Sequence, residues 1–347
     1  MRVLAAALAL ASFPSFACFA PRAAAADAPA QIVIKLGTVA PAGSQWELDL
    51  KEMGQRWREA SGGLVKLQIY AGGIAGDEDE LVRGLAIGKH QAAAITVVGL
   101  SNITPEPQAL CVPQMLRSYE ELDYVREHLT AHYDELFRKK GYTILHWADA
   151  GWLRFFSKKP FSNPEEMRQM KIFVWTGESG TVDLWKDAGF KPVPLAATDI
   201  SLSLQSGLVD VVPMTALTAL STQANLIATN AIDFKWAPLV GATIVRTEAW
   251  EKIPADIRPR LLAIARETGV KLRADVRHLD DDALESMRKK GMTVQSVSAA
   301  DLAAWVTLAE GAHARIRATV VTPESFDAVK KLRDEYRGLH AAGAKTP

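Results

Sequence analysis

Residues 31–70 read QIVIKLGTVAPAGSQWELDLKEMGQRWREASGGLVKLQIY and decide the fold class of the chain. The first part, IVIKLGT, alternates apolar and other side chains and predicts a β-strand that ends at the turn-forming run APAGSQ. Apolar residues then recur at spacings of four, three and four, namely Trp46, Leu50, Met53 and Trp57. That spacing is typical of an amphipathic helix. Gly62 and Gly63 end the helix, and LVKLQIY predicts a second strand.

The same order of elements continues along the chain. The run AGGIAGDEDE leads into a helix whose first turn is acidic, as the positive end of a helix prefers, and AAAITVV predicts the next strand. A second series follows with the strand YTILHW, the strand KIFVW, the short helix DISLSLQSG, and the strands LVDVV and GATIVR. Further helices are expected at residues 119–140, 254–290, 299–319 and 323–336. Alternating strands and helices predict an α/β fold with a parallel sheet, and a ligand cleft at the carboxyl ends of its strands.

The amino terminus has the pattern of a secretory signal peptide. Arg2 precedes an apolar run that is too short for a membrane span of about 20 residues. Small residues at Ala24 and Ala26 suit cleavage, so residues 1–26 are expected to be removed and the mature chain to be periplasmic. A lipid anchor at Cys18 is the alternative, although the residues before it fit a lipoprotein signal poorly.

The composition limits the partners of the mature chain. Of 347 residues, 321 would remain, which is enough for about two domains of about 150 residues each. Loss of two arginines with the signal leaves 38 basic against 40 acidic residues, with the signs interspersed, so no nucleic-acid surface is expected. Cys111 would be the single cysteine, so no disulfide is expected. No later run reaches 18 apolar residues, so no membrane span is expected either.

Motifs for catalysis are weak. His128 and His132 are four residues apart on one expected helix, a spacing that lets two imidazoles share a metal. No third ligand is indicated, however, and a partly exposed position beside the apolar stripe explains both better. The run GGIAG lacks the lysine of a phosphate loop, LDDDAL lacks the ligand spacing of a calcium loop, and Cys111 lies in an apolar context. Neither a metal nor a cofactor is therefore expected, and a binding protein is favoured over an enzyme.

Four segments resemble one protein family in their order and spacing. They are ALCVPQMLRSYEEL, ELFRKKGYTILHWADAGWLRFFSKKPFSNPEEMRQMKIFV, AGFKPVPLAATDISLSLQSGLVDVV and AWEKIPADIRPRLLAIA. On these segments the chain is similar to the extracytoplasmic solute-binding proteins of TRAP (tripartite ATP-independent periplasmic) transporters, of the DctP type. The resemblance implies a two-lobed periplasmic-binding-protein clamshell, with long helices spanning both lobes. It also implies closure on a small-molecule ligand and delivery to the small and large membrane subunits of the transporter.

The resemblance further implies which segments form each lobe. Lobe I would comprise residues 27–151 plus about 238–278, and lobe II residues 152–237 plus about 279–340. The long helix that begins near Pro254 would belong to both lobes and act as a spine.

The resemblance also implies where the ligand lies and how this chain departs from the family. In most members the strand that matches KIFV has an arginine where this chain has Phe173, and that arginine grips a substrate carboxylate. Most members also follow the strand that matches GLVDVV with a Glu-Asn-Pro turn, where this chain has Pro213, Met214 and Thr215. Two polar positions are thus apolar. With Trp175 on the same strand face as Phe173, we expect a hydrophobic or amphipathic ligand.

Other side chains were candidates for the same cleft. Trp147, Trp152 and Trp236 fall near expected strand ends and could extend an aromatic lining, with core packing or a hinge between the lobes as the alternative. Arg154, in the segment GWLR, and Lys171 could each supply one positive charge to a ligand with a polar or acidic head.

The leading hypothesis is therefore a TRAP solute-binding protein that hands a hydrophobic or amphipathic solute to its membrane subunits. The segment WADAGWLRFFSKKP resembles family branches associated with a helical-repeat periplasmic partner and with lipid-like ligands. A periplasmic ligand-sensing module is the first alternative. A metal-dependent periplasmic enzyme that uses His128 and His132 is the second.

Overall fold

The computed structural model describes residues 30–176 and 178–343, without the side chains of residues 179 and 341–343. The expected signal peptide, 1–26, and Cys18 therefore lie outside the described residues. The strands are β1 (Ile32–Thr38), β2 (Val65–Tyr70), β3 (Ala92–Thr96), β4 (Tyr142–Ser157), β5 (Lys171–Trp175), β6 (Lys191–Leu195), β7 (Val211–Met214), β8 (Asn230–Ile232), β9 (Ala237–Arg246) and β10 (Thr293–Gln295).

Helices cover the strands. The α-helices are α1 (Gln45–Ala60), α2 (Glu78–Ala86), α3 (Val97–Ser101), α4 (Tyr119–Lys139), α5 (Pro164–Met167), α6 (Ser179–Asp187), α7 (Ile200–Ser206), α8 (Ala216–Ser221), α9 (Thr247–Glu251), α10 (Arg258–Lys289), α11 (Ala299–Thr319) and α12 (Pro323–Gly343). Short 3₁₀ helices occur at Glu106–Cys111, Ala197–Asp199 and Ala224–Leu226. None of the described helices is both long and apolar enough to cross a membrane.

The strands join into one mixed sheet in the order β2-β1-β3-β9-β4-β7-β5-β6, with β8 on β4 and β10 on β8. The outer groups β2-β1-β3 and β7-β5-β6 are parallel, as βαβ connections require. The two long strands at the centre are antiparallel to their neighbours. The expectation of an α/β fold is confirmed, whereas the expectation of a parallel sheet holds for the outer groups and for the pair β8-β10 but not for the centre.

Strand β4 links the two groups of parallel strands. Its first part pairs with β9, from Tyr142 to Leu153, and its last part pairs with β7 and β8. The pairing with β9 shifts register between Asp149 and Gly151, which marks a bulge in the middle of the strand. Only the segment YTILHW is expected as a strand here, because Asp149 and Gly151 are residue types typical of loops.

Helix α10 packs against β4, α1 and α8. Gly269 allows this close approach, because a Cβ atom there would lie 2.6 Å from Cβ of His146 on β4. Further along α10, Asp280 is fully buried and accepts hydrogen bonds from Leu217 N at 3.0 Å and Arg154 Nη1 at 2.9 Å. The long helix expected at 254–290 is thus present, and it holds the centre of the sheet on both sides of the bulge.

Candidate ligand-binding cavity

A cavity of about 620 Å³ lies where the carboxyl ends of β1, β3, β5 and β7 face one another. One side is formed by the end of β1 and the loop after it, from Thr38 to Ala42. The opposite side is formed by Phe173–Trp175 of β5 and Pro213–Thr215 at the end of β7. Residues of β4 and β9 form the floor between them. This position is the cleft that the strand order predicts.

Four of the residues expected at the ligand lie in the wall of this cavity. Phe173 and Met214 are about 4 % exposed and pack in the same apolar cluster, while the half-buried Trp175 packs against that cluster. Ile172, on the other face of β5, packs in a separate cluster, as strand alternation requires. Thr215 also lines the cavity, but its Oγ1 accepts a hydrogen bond from Thr218 N and caps α8.

The two expected cations lie outside the cavity wall, which corrects the expectation that either supplies a charge to the ligand. Arg154 is 2 % exposed and pairs with Asp280 at 2.9 Å, because α10 crosses β4 at this point. Lys171 begins β5, at the end of the strand remote from the cavity, and its Nζ donates to the Gly207 carbonyl.

Three tryptophans that were candidates for an aromatic lining are instead core residues. Trp147 packs against Tyr133 with ring centroids 5.3 Å apart, and Trp152 packs against Tyr119 at 5.5 Å. Trp236 belongs to an aromatic cluster with Phe155, Phe161, Trp185, Phe234 and Trp305. None of the three lines the cavity among the described residues. All three are buried in the core of the described structure.

No Lys, Arg or His occurs among the described residues that line the cavity. Its charged residues are the carboxylates Glu78, Asp149 and Glu178, and its polar residues are otherwise mainly threonine and serine. Asp149 forms ion pairs with Arg126 and Arg277, neither of which lines the cavity; Nη2 of Arg277 lies 2.7 Å from Oδ2 of Asp149. The wall thus combines apolar surface with an excess of negative charge.

Glu78 is buried and serves the structure around it. Its carboxylate accepts hydrogen bonds from Thr96 N and Thr96 Oγ1, both at 2.8 Å, and from Gly99 N at 2.7 Å. Burial raises the pKa of Glu78 to about 7, although these donors act in the opposite direction. The residue fixes the start of α3 beside the cavity.

Glu178 is different because its carboxyl has no partner within the described residues. It occupies the N-cap position of α6, but its side chain makes no capping hydrogen bond. Its backbone is held by the bonds Glu178 N to Trp175 O at 2.9 Å and Thr181 N to Glu178 O at 2.9 Å. Burial against the cavity wall raises the pKa of the Glu178 carboxyl to about 7. Sequence reasoning missed this residue, since nothing in the local sequence shows that its carboxyl is left unpaired.

One carboxylate joins two segments that line the cavity. Asp77, the N-cap of α2, accepts a hydrogen bond from Trp175 Nε1 at 2.8 Å and from Ala197 N at 3.0 Å. Beside it, a Cβ atom on Gly73, whose φ is +73°, would lie 2.7 Å from Cγ2 of Thr198. Glycine is required there by both the left-handed backbone and the close approach of the two loops.

The histidines considered for a metal lie on α4, away from this cavity. Nδ1 of His128 is 2.7 Å from the Tyr124 carbonyl of its own helix. In the part of the chain that the structure describes, no group of three or more His, Cys, Asp or Glu side chains is placed to hold a metal ion. The geometry offers no support for a metal-dependent enzyme.

Residues 36–319 match the family model for bacterial extracellular solute-binding protein family 7, or DctP. The chain belongs to this family. A family 7 assignment agrees with the resemblance in the four sequence segments, and it covers both groups of parallel strands and the cavity between them.

Curated proteins similar to the chain include other binding proteins. A solute-binding protein of Roseobacter denitrificans is 26 % identical over 201 residues, 56 % of this chain and 59 % of that protein. The C4-dicarboxylate-binding periplasmic protein of Rhodobacter capsulatus is 22 % identical over 278 residues, 79 % of this chain and 82 % of that protein. The chain thus spans less than two thirds of the first of these relatives.

Solved structures share the fold at low sequence identity. A TRAP periplasmic solute-binding protein of Sulfurospirillum deleyianum, with bound succinate, has a TM-score of 0.80 and 21 % identity over 88 % of this chain and 99 % of that chain. A sugar acid binding protein of Advenella mimigardefordensis, in complex with galactonate, has a TM-score of 0.83 and 14 % identity over the same shares. The family 7 chain therefore has the two-lobed α/β fold of these proteins.

Proposed function

We propose that the protein is the extracytoplasmic solute-binding component of a TRAP transporter. It captures a small molecule in the cavity between the strand ends and delivers it to the small and large membrane subunits in the periplasm. Family membership, the fold shared with TRAP binding proteins, and a cavity in the cleft position of such a fold support this role. The lobe boundaries given above and export by the segment 1–26 form part of the same proposal.

The solute is proposed to be hydrophobic or amphipathic, without an anionic group inside the cavity. The observation that carries this is the absence of any cationic side chain from the described wall. A carboxylate moved from water into a site without a paired cation loses several kcal/mol. An apolar body gains about 25 cal/mol per Å² buried, so about 200 Å² against Phe173, Trp175 and Met214 contributes about 5 kcal/mol.

This specificity departs from that of the solved relatives. The Sulfurospirillum and Advenella proteins have succinate and galactonate bound, and a further relative from Citrobacter koseri has D-glucuronate. All of these ligands are acids. The proposal is that this family 7 chain keeps the fold and the transport role of such proteins but accepts a different class of solute.

The ligand residues are proposed to be Phe173, Trp175 and Met214, with Thr215 at the edge of the same wall. A helical-repeat periplasmic protein is proposed as an additional partner. Its sole support is the likeness of the segment WADAGWLRFFSKKP to family branches that have such a partner.

Binding calorimetry tests the proposed function. The full chain, expressed with its own amino terminus and purified from the periplasm, is titrated with tryptophol, succinate and galactonate. We expect heat from binding of the neutral tryptophol and none from the two acids. Mass spectrometry of the mixture after prolonged incubation should recover tryptophol unchanged. Binding of the acids at micromolar concentration would contradict the proposed solute class, and conversion of a bound compound would contradict the role of a binding protein.

A further inference from the structure

The cavity wall contains one carboxyl, that of Glu178, without a partner among the described residues. Binding of an apolar solute does not explain its presence. Glu178 lines the cavity together with Phe173 and Trp175. Within the described residues it makes neither an ion pair nor a hydrogen bond, and it does not cap the helix whose first turn it precedes. A half-buried charge without a partner costs stability, so a partner from outside the chain offsets that cost.

Resting on the proposed function, we propose that Glu178 anchors the ligand and that the ligand carries a protonated amine on an apolar body. The amine would donate a charge-assisted hydrogen bond to the Glu178 carboxylate, while the body packs against the wall formed by Phe173 and Met214. The inference deepens the proposed function by naming the polar group that an amphipathic solute presents to this site.

The charges around Glu178 favour a ligand with a cationic group over a ligand with an anionic group. Glu78 and Asp149 also line the cavity, and no Lys, Arg or His occurs in the described wall. Asp149 already forms ion pairs with Arg126 and Arg277. Glu78 already accepts three hydrogen bonds. Both carboxylates therefore have partners within the chain. Glu178 is thus the acceptor available to an ammonium group.

Proton release provides a second signature. Burial raises the pKa of the free Glu178 carboxyl to about 7, so near neutral pH a fraction of the molecules holds it protonated. An ammonium group favours the ionised form and lowers that pKa, so binding should release protons between about pH 5 and pH 7. The other titratable groups facing this region are Glu78, Asp149 and the buried thiol of Cys111.

A matched set of three probes tests the inference, namely tryptamine, tryptophol and indole-3-acetate, which share the indole body and differ in the polar end. Calorimetry on the full chain should show tryptamine binding about ten- to hundredfold more tightly than tryptophol, and indole-3-acetate binding most weakly. Titrations of tryptamine at pH 6 in two buffers of different ionisation enthalpy should show net proton release.

The variant Glu178→Gln separates the inference from the proposed function. It keeps the shape of the side chain, so we expect tryptamine affinity to fall about ten- to hundredfold, proton release to decrease, and tryptophol affinity to change less than about threefold. Asp183→Asn is the matched control, because Asp183 lies on the same helix, its side chain is 67 % exposed and it does not line the cavity. It should leave both affinities unchanged.

The outcomes distinguish the two claims. If tryptophol binds as tightly as tryptamine and Glu178→Gln changes neither, the amine inference is wrong while the apolar binding role stands. If indole-3-acetate binds most tightly, both are wrong. In that case, if its affinity also rises as pH falls through 7, protonated Glu178 acts as a donor to an acid.

Discussion

The indole Nε1 of Trp175, which lines the cavity, donates a hydrogen bond to Oδ2 of Asp77 at 2.8 Å. The same oxygen accepts from Ala197 N, and the other oxygen accepts from Glu78 N at the start of α2. A single carboxylate therefore joins the loop before α2 to β5 and to the loop after β6. Two of the three segments joined in this way, at Trp175 and Ala197, also line the cavity.

Replacement of Trp175 by phenylalanine should weaken ligand binding. Trp175→Phe retains an aromatic ring against the cavity but removes the donor to Asp77, so the contact between β5 and the loop before α2 should loosen. We expect the affinity for a bound probe such as tryptophol to fall about tenfold, mainly through faster dissociation. Stopped-flow dissociation rates and calorimetry measure both effects.

Trp57→Phe is the matched control for this prediction. Trp57 Nε1 also donates a buried hydrogen bond, to Leu261 O at 2.9 Å, but it lies in the core between α1 and α10. This variant should lower the melting temperature and leave the dissociation rate of tryptophol unchanged. Equal effects of the two variants on dissociation would show that the bond between Trp175 and Asp77 has no special role in retention.

Replacement of Phe173 by arginine should make the cavity prefer acidic ligands over neutral ones. Phe173→Arg introduces into the apolar wall a guanidinium that can bind a carboxylate by two hydrogen bonds. We expect the affinity for indole-3-acetate to rise at least about tenfold and that for tryptophol to fall. Phe173→Met, which adds no charge, should not bind the acid. A folded Phe173→Arg variant with unchanged preference would show that position 173 does not select the solute.

The buried pair of Arg154 and Asp280 should matter for stability and not for binding. Arg154→Met leaves Asp280 charged and without its cation inside the protein, which costs about 3–5 kcal/mol of the free energy of unfolding. Urea titration should report this loss, while tryptophol affinity of the folded variant should stay within about threefold. A large loss of affinity at unchanged stability would instead place Arg154 at the ligand.

Two glycine substitutions should change the stability of the protein in opposite directions. Gly269→Ala adds a methyl group 2.6 Å from Cβ of His146, and we expect a loss of about 1–3 kcal/mol from overpacking. Gly311→Ala, within α11, adds a methyl group that meets nothing within 4 Å, and we expect a gain of up to about 1 kcal/mol from helix propensity. Thermal and urea unfolding of the two variants should differ in sign. A neutral Gly269→Ala would show that α10 can move away from the sheet.

Local pattern predicted most helices and the outer strands, because these depend on apolar periodicity and on caps that lie within a few residues. The helix α10 is present nearly as its periodicity indicated. The edge strand β6 was not expected, because Pro192 and Pro194 are typical of non-strand segments, yet an edge strand with few hydrogen bonds to lose tolerates them. Strand β4 was cut short in the sequence-based prediction, since its bulge depends on pairing with β9, nearly 100 residues away.

Sequence reasoning predicted those site residues whose location follows from strand alternation and from the matching position in the family. Phe173, Trp175 and Met214 lie in the cavity wall for that reason. Arg154 was misassigned because its partner Asp280 is 126 residues away, and a distant partner leaves no sign in the local sequence. Glu178 was missed for the converse reason, since only the packed structure shows a carboxyl that has no partner among the described residues.

The most direct test of an apolar or amphipathic solute is native mass spectrometry of the protein purified from its host without added ligand. Organic extraction and identification of whatever dissociates would follow. We expect a molecule with an apolar body and no carboxylate, ending in an amine if Glu178 is its anchor. Recovery of a dicarboxylate or a sugar acid would contradict the proposed solute class, because the described cavity wall has no cation to hold it.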